Sequence, residues 1–232
     1  MNVAAKLSKM KRDIKAILFD LDGTLADTAD DFVKVLNIQR QRHGKPALDP
    51  KLIRDTVSDG ARALTHLAFG GHEGEADFES KRQELLDLYL KMVGDAAMLF
   101  PGMAATLEYL EANDIVWGIV TNKPRKYAVI LIERLNLLGR CATLVCPDDV
   151  ALAKPHPEGL LKAATSLSLD ANTCIYVGDH LRDIEAGVAA NMRAVSARYG
   201  YIEDTSQVNN WGADAIIDSP LELVELLEKN LL

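Results

Sequence analysis

The sequence predicts an α/β fold, a doubly wound parallel sheet carrying an inserted all-helical domain. Short, nearly continuous apolar runs alternate with amphipathic stretches along most of the 232 residues. Such runs suit parallel strands covered by helices on both faces. One interval, from about residue 28 to about residue 99, shows helical patterns and no convincing strand. That is far more chain than a crossover between neighbouring strands needs.

The first predicted strand is "AILF", residues 16–19, followed by "DLDGTL". Thr28 with Asp31 three residues on resembles a capping box, with Asp in place of the usual Glu or Gln. The helix it opens runs to about His43, where Gly44 and Pro46 stop it. Further helices are predicted at 50–57, 61–68 and 76–93, with "GHEGE" at 71–75 as a polar loop. "FPGM" at 100–103 restarts the alternation. Strands are predicted at 116–121, 143–146, 174–178, 194–197 and 215–218, and helices at 103–112, 125–137 and 157–168. The closing "LELVELLEKNLL" reads as an amphipathic helix packed on the sheet. The chain therefore divides into a discontinuous Rossmann-like core, 1–27 and 100–232, and a helical cap, 28–99. The cap emerges directly above Asp20 and Asp22, as a lid would.

Composition bounds the function. At 48% hydrophobic and 26% charged, the chain has ample material for a core. A formal net charge of −8 argues against a general nucleic-acid or acidic-membrane surface and still permits a local basic pocket. The three cysteines have no CxxC spacing, and Cys146 and Cys174 sit in apolar runs, so free buried thiols are expected rather than zinc ligands. No run has the length of a signal peptide or membrane span. The basic start, "MNVAAKLSKMKRDIK", reads as a solvated lead-in. A cytoplasmic monomer or homodimer without nucleic-acid or membrane partners is expected.

Ligands of open α/β sheets bind beyond the carboxyl ends of the strands. After the first strand come Asp20 and Asp22, two positions apart and so facing one way in extended chain. After the second come Thr121 and Asn122, a hydroxyl and an amide suited to an oxyanion. Lys154 in "AKPHPEGL" follows the third. Asp179 and Asp183 follow the fourth, four apart on one side of a helix start. Each has an ordinary structural account: a tight Asp-Gly turn, helix N-caps, a solvated lysine. Taken together, the four ends would gather Asp20, Asp22, Asp179 and Asp183 into one acidic cluster. Two carboxylates about 4 Å apart repel by roughly 4 kcal/mol at an effective dielectric of 20. Such a cluster requires a cation or raised pKa values, and Mg²⁺ suits an all-oxygen site beside a phosphate. The pattern points to phosphoryl chemistry.

"DLDGT", "VTN", Lys154 in "KPHP" and "GDHLRD" resemble, in order and spacing, the four motifs of the haloacid dehalogenase superfamily. The resemblance runs from about residue 15 to 220 and includes the position of the helical cap. It implies Asp20 as a nucleophile that forms an aspartyl-phosphate, and Asp22 as the acid and then the base. It implies Mg²⁺ held by Asp20, the Asp22 carbonyl and Asp179, with Asp183 binding through water or orienting the shell. Thr121 and Asn122 would bind the phosphoryl group, and Lys154 would offset its charge. Asp22 favours phosphate ester hydrolysis over dehalogenation. "VSDGARAL" at 57–64, "WGIVTNKP", "VCPDDV" and "YGYI" are similar to phosphoglycolate phosphatase-like enzymes and especially to N-acetylmuramic acid 6-phosphate phosphatases. His180 departs from the small polar or acidic residue usual there.

Arg62 in the cap is a candidate contact for the far end of the substrate, or else a solvated helix arginine. His66 and His72 lack partners at ligand spacing and read as structural or exposed. Trp117 reads as core, and Trp211 is left open. The rival functions are a sugar-phosphate mutase of the β-phosphoglucomutase type and a non-catalytic phosphate-ligand binding protein.

Overall fold

The structure is a computed structural model and describes residues 14–232. The lead-in expected at the N-terminus lies largely outside the described residues. Strand β1 (Ala16–Phe19) has all four residues buried and sits inside a six-stranded sheet. Its neighbours are β4 (Val116–Val120) and β6 (Cys174–Gly178), both parallel, with Ile17 level with Trp117 and Ile175. β5 (Leu144–Val145) lies outside β4, while β7 (Arg193–Ala197) and β8 (Ala215–Ile217) extend the other side, giving the order β5-β4-β1-β6-β7-β8. The side chains of β1 alternate between the two faces. Ile17 and Phe19 enter one apolar cluster, Ala16 and Leu18 a second. That division is why the run is apolar throughout. The chain order leaves the sheet in both directions from β1, so the crevice beyond the end of β1 is the place for a ligand.

Two further strands, β2 (Ala26–Asp27) and β3 (Met98–Leu99), pair antiparallel. They clasp the two ends of the helical insertion: α1 (Ala29–Arg42), α2 (Pro50–Thr56), α3 (Gly60–Phe69) and α4 (Ala76–Met92). The capping box expected at Thr28 and Asp31 does not form. Thr28 makes no side-chain cap bond and turns its hydroxyl toward Asp22 at 2.6 Å. Asp31, fully buried, accepts from the Gly94 and Ala96 amides at 2.6 and 2.7 Å, tying the first cap helix to the segment leaving the last. Burial pushes its carboxyl above the usual range, and the two amides work against that shift. The larger apolar cluster runs without a break from Phe19 and Leu21 to Leu64, Leu85 and Tyr89, so the cap is seated on the sheet.

The core helices are α5 (Met103–Ala112), α6 (Arg125–Arg134), α7 (Glu158–Ser166), α8 (Leu181–Ala189) and α9 (Pro220–Glu228). Each predicted core element is present with ends shifted by up to three residues, as fraying ends allow. The C-terminal helix differs from expectation: it packs chiefly against α5 and only at its edge against β8. Cys146 and Cys174 are free and buried, and Cys141 is free and partly buried. No helix among the described residues is long and apolar enough to cross a membrane.

Candidate active site

Asp20 and Asp22 do occupy a turn. Gly23, at φ 83°, closes it by donating to the Ala26 carbonyl at 3.0 Å. Its φ favours glycine, and a Cβ there would overlap the Asp179 carboxylate. At the end of β6, a Cβ on Gly178 would fall on the side chain of Asp183. Both glycines thus leave room for acids from a different strand end. Asp179 accepts from the Thr24 hydroxyl at 2.9 Å and the Tyr201 amide at 3.0 Å. Asp183 accepts from the His180 amide at 3.0 Å.

Lys154, after β5, reaches beneath these acids. Its ammonium meets Asp183 Oδ1 at 2.7 Å, Tyr176 Oη at 2.7 Å and Asp20 Oδ1 at 2.8 Å. Three N–H groups facing three oxygens make a buried lysine tolerable. Burial opposes its charge, but Asp183 and Asp20 carry its pKa above the ordinary lysine value. Asp20 goes the other way for a carboxylate: burial, reinforced by Asp183, raises it against the pull of Lys154.

One carboxylate oxygen each from Asp20, Asp179 and Asp183 lies within 4.8 Å of the others. Three carboxylates against one ammonium leave a deficit of two positive charges. Asp179 shows the strain: burial first, then Asp20 and Asp183, push its pKa up to about 7. Although Lys154 is near, Asp20 Oδ1 is buried with no hydrogen-bond donor in alignment. An oxygen-only donor set, a charge deficit of two and an orphaned buried oxygen fit a hard divalent cation. The Asp22 side chain stands outside this set.

Asp22 is held instead from the β4 end and from the cap. Its Oδ1 accepts from Thr28 at 2.6 Å and from Lys123 at 2.8 Å, and its Oδ2 lies 3.2 Å from Lys123. Lys123 donates also to Tyr89 Oη on α4 at 2.7 Å and lies over the Tyr89 and Phe32 rings. Sequence reasoning gave Lys123 no role. A lysine before a proline reads as solvated, and the aromatics that bury it are distant in the chain. Thr121, also buried, accepts from the Lys123 amide at 3.1 Å. The Asn122 side chain is committed elsewhere: it donates to the Lys154 carbonyl at 3.0 Å and accepts from the Lys154 amide at 3.2 Å. It brackets two strand ends together, so its backbone rather than its amide group faces the phosphoryl position.

The cap closes over the acids through the turn at Val57–Asp59. Ser58 Oγ donates to Asp179 at 3.3 Å, and Arg182 donates to the Ser58 carbonyl at 2.5 Å. His180 caps α8 by accepting from the Arg182 amide at 3.2 Å, and its Nε2 faces Asp59 at 3.7 Å. That contact, outweighing burial, holds the Asp59 carboxyl below its ordinary value. His180 is therefore a core residue that touches the cap. Arg62 does line the cleft, paired with Glu73 at 2.8 Å, but the pair is exposed. Trp117 is buried and donates to Glu111 at 2.9 Å. Trp211 lines a smaller cavity of about 200 Å³ behind Asp179. His66 hydrogen-bonds the Gly71 carbonyl at 2.8 Å and stacks on His72.

The cleft itself has a volume of about 520 Å³. Asp20, Asp22, Thr121 and Lys154 form its floor, and Phe32, Leu86 and Tyr89 are among its apolar walls. Comparison with known proteins agrees with this geometry. The family described as haloacid dehalogenase-like hydrolase matches residues 17–197. An N-acetylmuramic acid 6-phosphate phosphatase from Pseudomonas putida is 44% identical over 219 residues, covering 94% of this chain and 98% of the relative. A phosphoglycolate phosphatase from Xanthomonas campestris is 40% identical over 211 residues, covering 91% and 95%. A crystal structure from Haemophilus somnus, described as a predicted phosphoglycolate phosphatase, superposes with a TM-score of 0.81. It covers 93% of this chain and 98% of that one, and at 24% identity it speaks for the fold alone. On the fold, the four converging strand ends and these relatives, the chain belongs to the haloacid dehalogenase-like hydrolase family and is a phosphatase.

Proposed function

We propose that the chain is a Mg²⁺-dependent phosphomonoesterase acting through an aspartyl-phosphate on Asp20, with a phosphorylated sugar acid of the N-acetylmuramic acid 6-phosphate type as substrate. The observation that carries the reading is the meeting of Asp20, Asp22, Thr121 and Lys154 on one cleft floor beside a carboxylate cluster short of two positive charges. Asp20 and Asp179, with Asp183 and the Asp22 carbonyl, would hold the cation. When bound, Mg²⁺ would supply charge neutralisation for the phosphate oxygens.

An Asp20 carboxylate oxygen attacks phosphorus, and the bond from phosphorus to the ester oxygen breaks. Asp22 gives its proton to the departing alkoxide, which leaves as the alcohol. The Asp22 carboxylate then takes a proton from water as that water attacks the phosphoryl group. Phosphate leaves and Asp20 is restored. Lys154 offsets charge on the phosphoryl oxygens, and Thr121 with the Asn122 backbone positions them. The helices between β2 and β3 act as a cap domain, residues 28–99, on a core of 1–27 and 100–232. Cleft size supports a substrate of sugar dimensions, since 2-phosphoglycolate has only a two-carbon organic part. Phosphate release from both compounds, with and without Mg²⁺, tests the reading.

A further inference from the structure

Among the charged residues lining the cleft, the cations Arg62, Arg82, Lys123, Lys126, Lys154 and Arg182 outnumber the acids Asp20, Asp22 and Asp59. That reverses the balance of a chain whose net charge is −8. Three of the cations face an acid inside the cleft: Lys154 faces Asp20 at 2.8 Å, Lys123 faces Asp22 at 2.8 Å, and Arg182 faces Asp59 at 4.0 Å. The other three do not. Arg62 is spent on Glu73 in an exposed pair that solvent screens.

Arg82 and Lys126 are different. Arg82, on cap helix α4, is only 26% exposed, and its Nε donates to Glu79 at 2.7 Å. That bond fixes the guanidinium plane and leaves both terminal amino groups without a protein acceptor among the described residues. Lys126, in the first turn of core helix α6, holds its ammonium 4.7 Å from the centre of the Tyr127 ring. It forms no ion pair among the described residues. The two cations come from opposite sides of one cleft, one from the cap and one from the core. Neither has a part in the phosphoryl chemistry, which Asp20, Asp22 and Lys154 already cover.

We propose that Arg82 and Lys126 form a second anion subsite, which binds a carboxylate carried on the organic part of the phosphomonoester. The proposal rests on the phosphatase reading above. A rigid guanidinium fork matches the two oxygens of a carboxylate, and an ammonium adds a point charge. Glu79 cancels one of the two positive charges, so the subsite carries a net charge of about one. That suits a single carboxylate and undercompensates a second phosphate, with its charge of about −1.5 to −2. Because its halves lie on cap and core, the subsite also links recognition of the organic part to a closed cleft.

The test compares two substrates that differ by one group. N-acetylglucosamine 6-phosphate lacks the lactyl ether, and with it the carboxylate, of N-acetylmuramic acid 6-phosphate. The ratio of their kcat/KM values for phosphate release is measured with Mg²⁺ in the wild type, Arg82→Gln, Lys126→Gln and Arg82→Lys. The wild type is expected to favour the acid, and Arg82→Gln to lower the ratio by roughly ten- to a hundredfold, the range for a lost charged hydrogen bond. Lys126→Gln is expected to lower it by about tenfold, and Arg82→Lys to restore part of it. A wild-type ratio near one, or a ratio that both Gln variants leave intact, would overturn the subsite while leaving the phosphatase reading in place. Release from neither sugar would overturn the subsite together with the choice of substrate.

Discussion

Asp179 is where the electrostatics of the site bear most directly on stability. Its folded-state pKa, about 7, stands above the ordinary aspartate value of 3.8. The folded protein therefore holds this proton more tightly than the unfolded chain does. Without a divalent cation, its contribution to stability is greatest below about pH 4 and is lost as pH rises toward 7. A bound cation replaces that proton, so the rise in Tm on adding Mg²⁺ should be larger near pH 8 than near pH 5. An equal rise at both would count against Asp179 as a ligand. Lys123 supplies a second prediction. It is the buried counter-ion of Asp22, so Lys123→Met should lower kcat by about a hundredfold, within the range of acid–base contributions. A steady-state assay showing kcat unchanged would remove Lys123 from the account. The acids were legible in the sequence because strand ends of an α/β sheet point to one crevice. Lys123 was not, because Phe32 and Tyr89, whose rings bury it, lie far from it in the chain.

Among the elements, the cap depends on ties that no local pattern reveals. The apolar runs announced β1, β4 and β6, since a strand covered on both faces has no room for polar side chains. β2 and β3 span two residues each, too short for any periodicity, yet they clasp the ends of the insertion. Asp31 reinforces that clasp through the Gly94 and Ala96 amides. Asp31→Ala would leave two buried N–H groups unpaired and should cost about 3 kcal/mol, a fall of roughly 10 °C in Tm by thermal unfolding. The expected capping box failed because Thr28 and Asp31 both found tertiary partners, which override a local cap. The turn at Val57–Asp59 meets α8 through Arg182. Arg182→Ala should raise KM severalfold with a smaller change in kcat, because it loosens the cap and leaves Asp20 and Asp22 in place. A fall in kcat alone would contradict a role in closing the cleft.

For the whole molecule, function follows from convergence more than from any one motif. Read singly, "DLDGT" is a turn, "VTN" a helix cap and "GDHLRD" a helix start, and the structure shows that the turn and the α8 cap do exist. The sheet order brings them together around β1, where Lys154 meets acids from two other strand ends. What the linear chain did not reveal was how the cap side chains are shared out. Arg62 stood out in the sequence and is tied to Glu73, whereas Arg82 was unremarked and lines the cleft half-buried. The central claim is hydrolysis by Asp20 with a divalent cation on a sugar-sized phosphate. The most direct test is phosphate release from N-acetylmuramic acid 6-phosphate by the wild type and Asp20→Asn, each with Mg²⁺ and after chelation. The account predicts turnover by the wild type with Mg²⁺ alone, and a loss of at least about a thousandfold in the other three cases. Turnover by Asp20→Asn near the wild-type rate, or turnover that survives chelation, would contradict it.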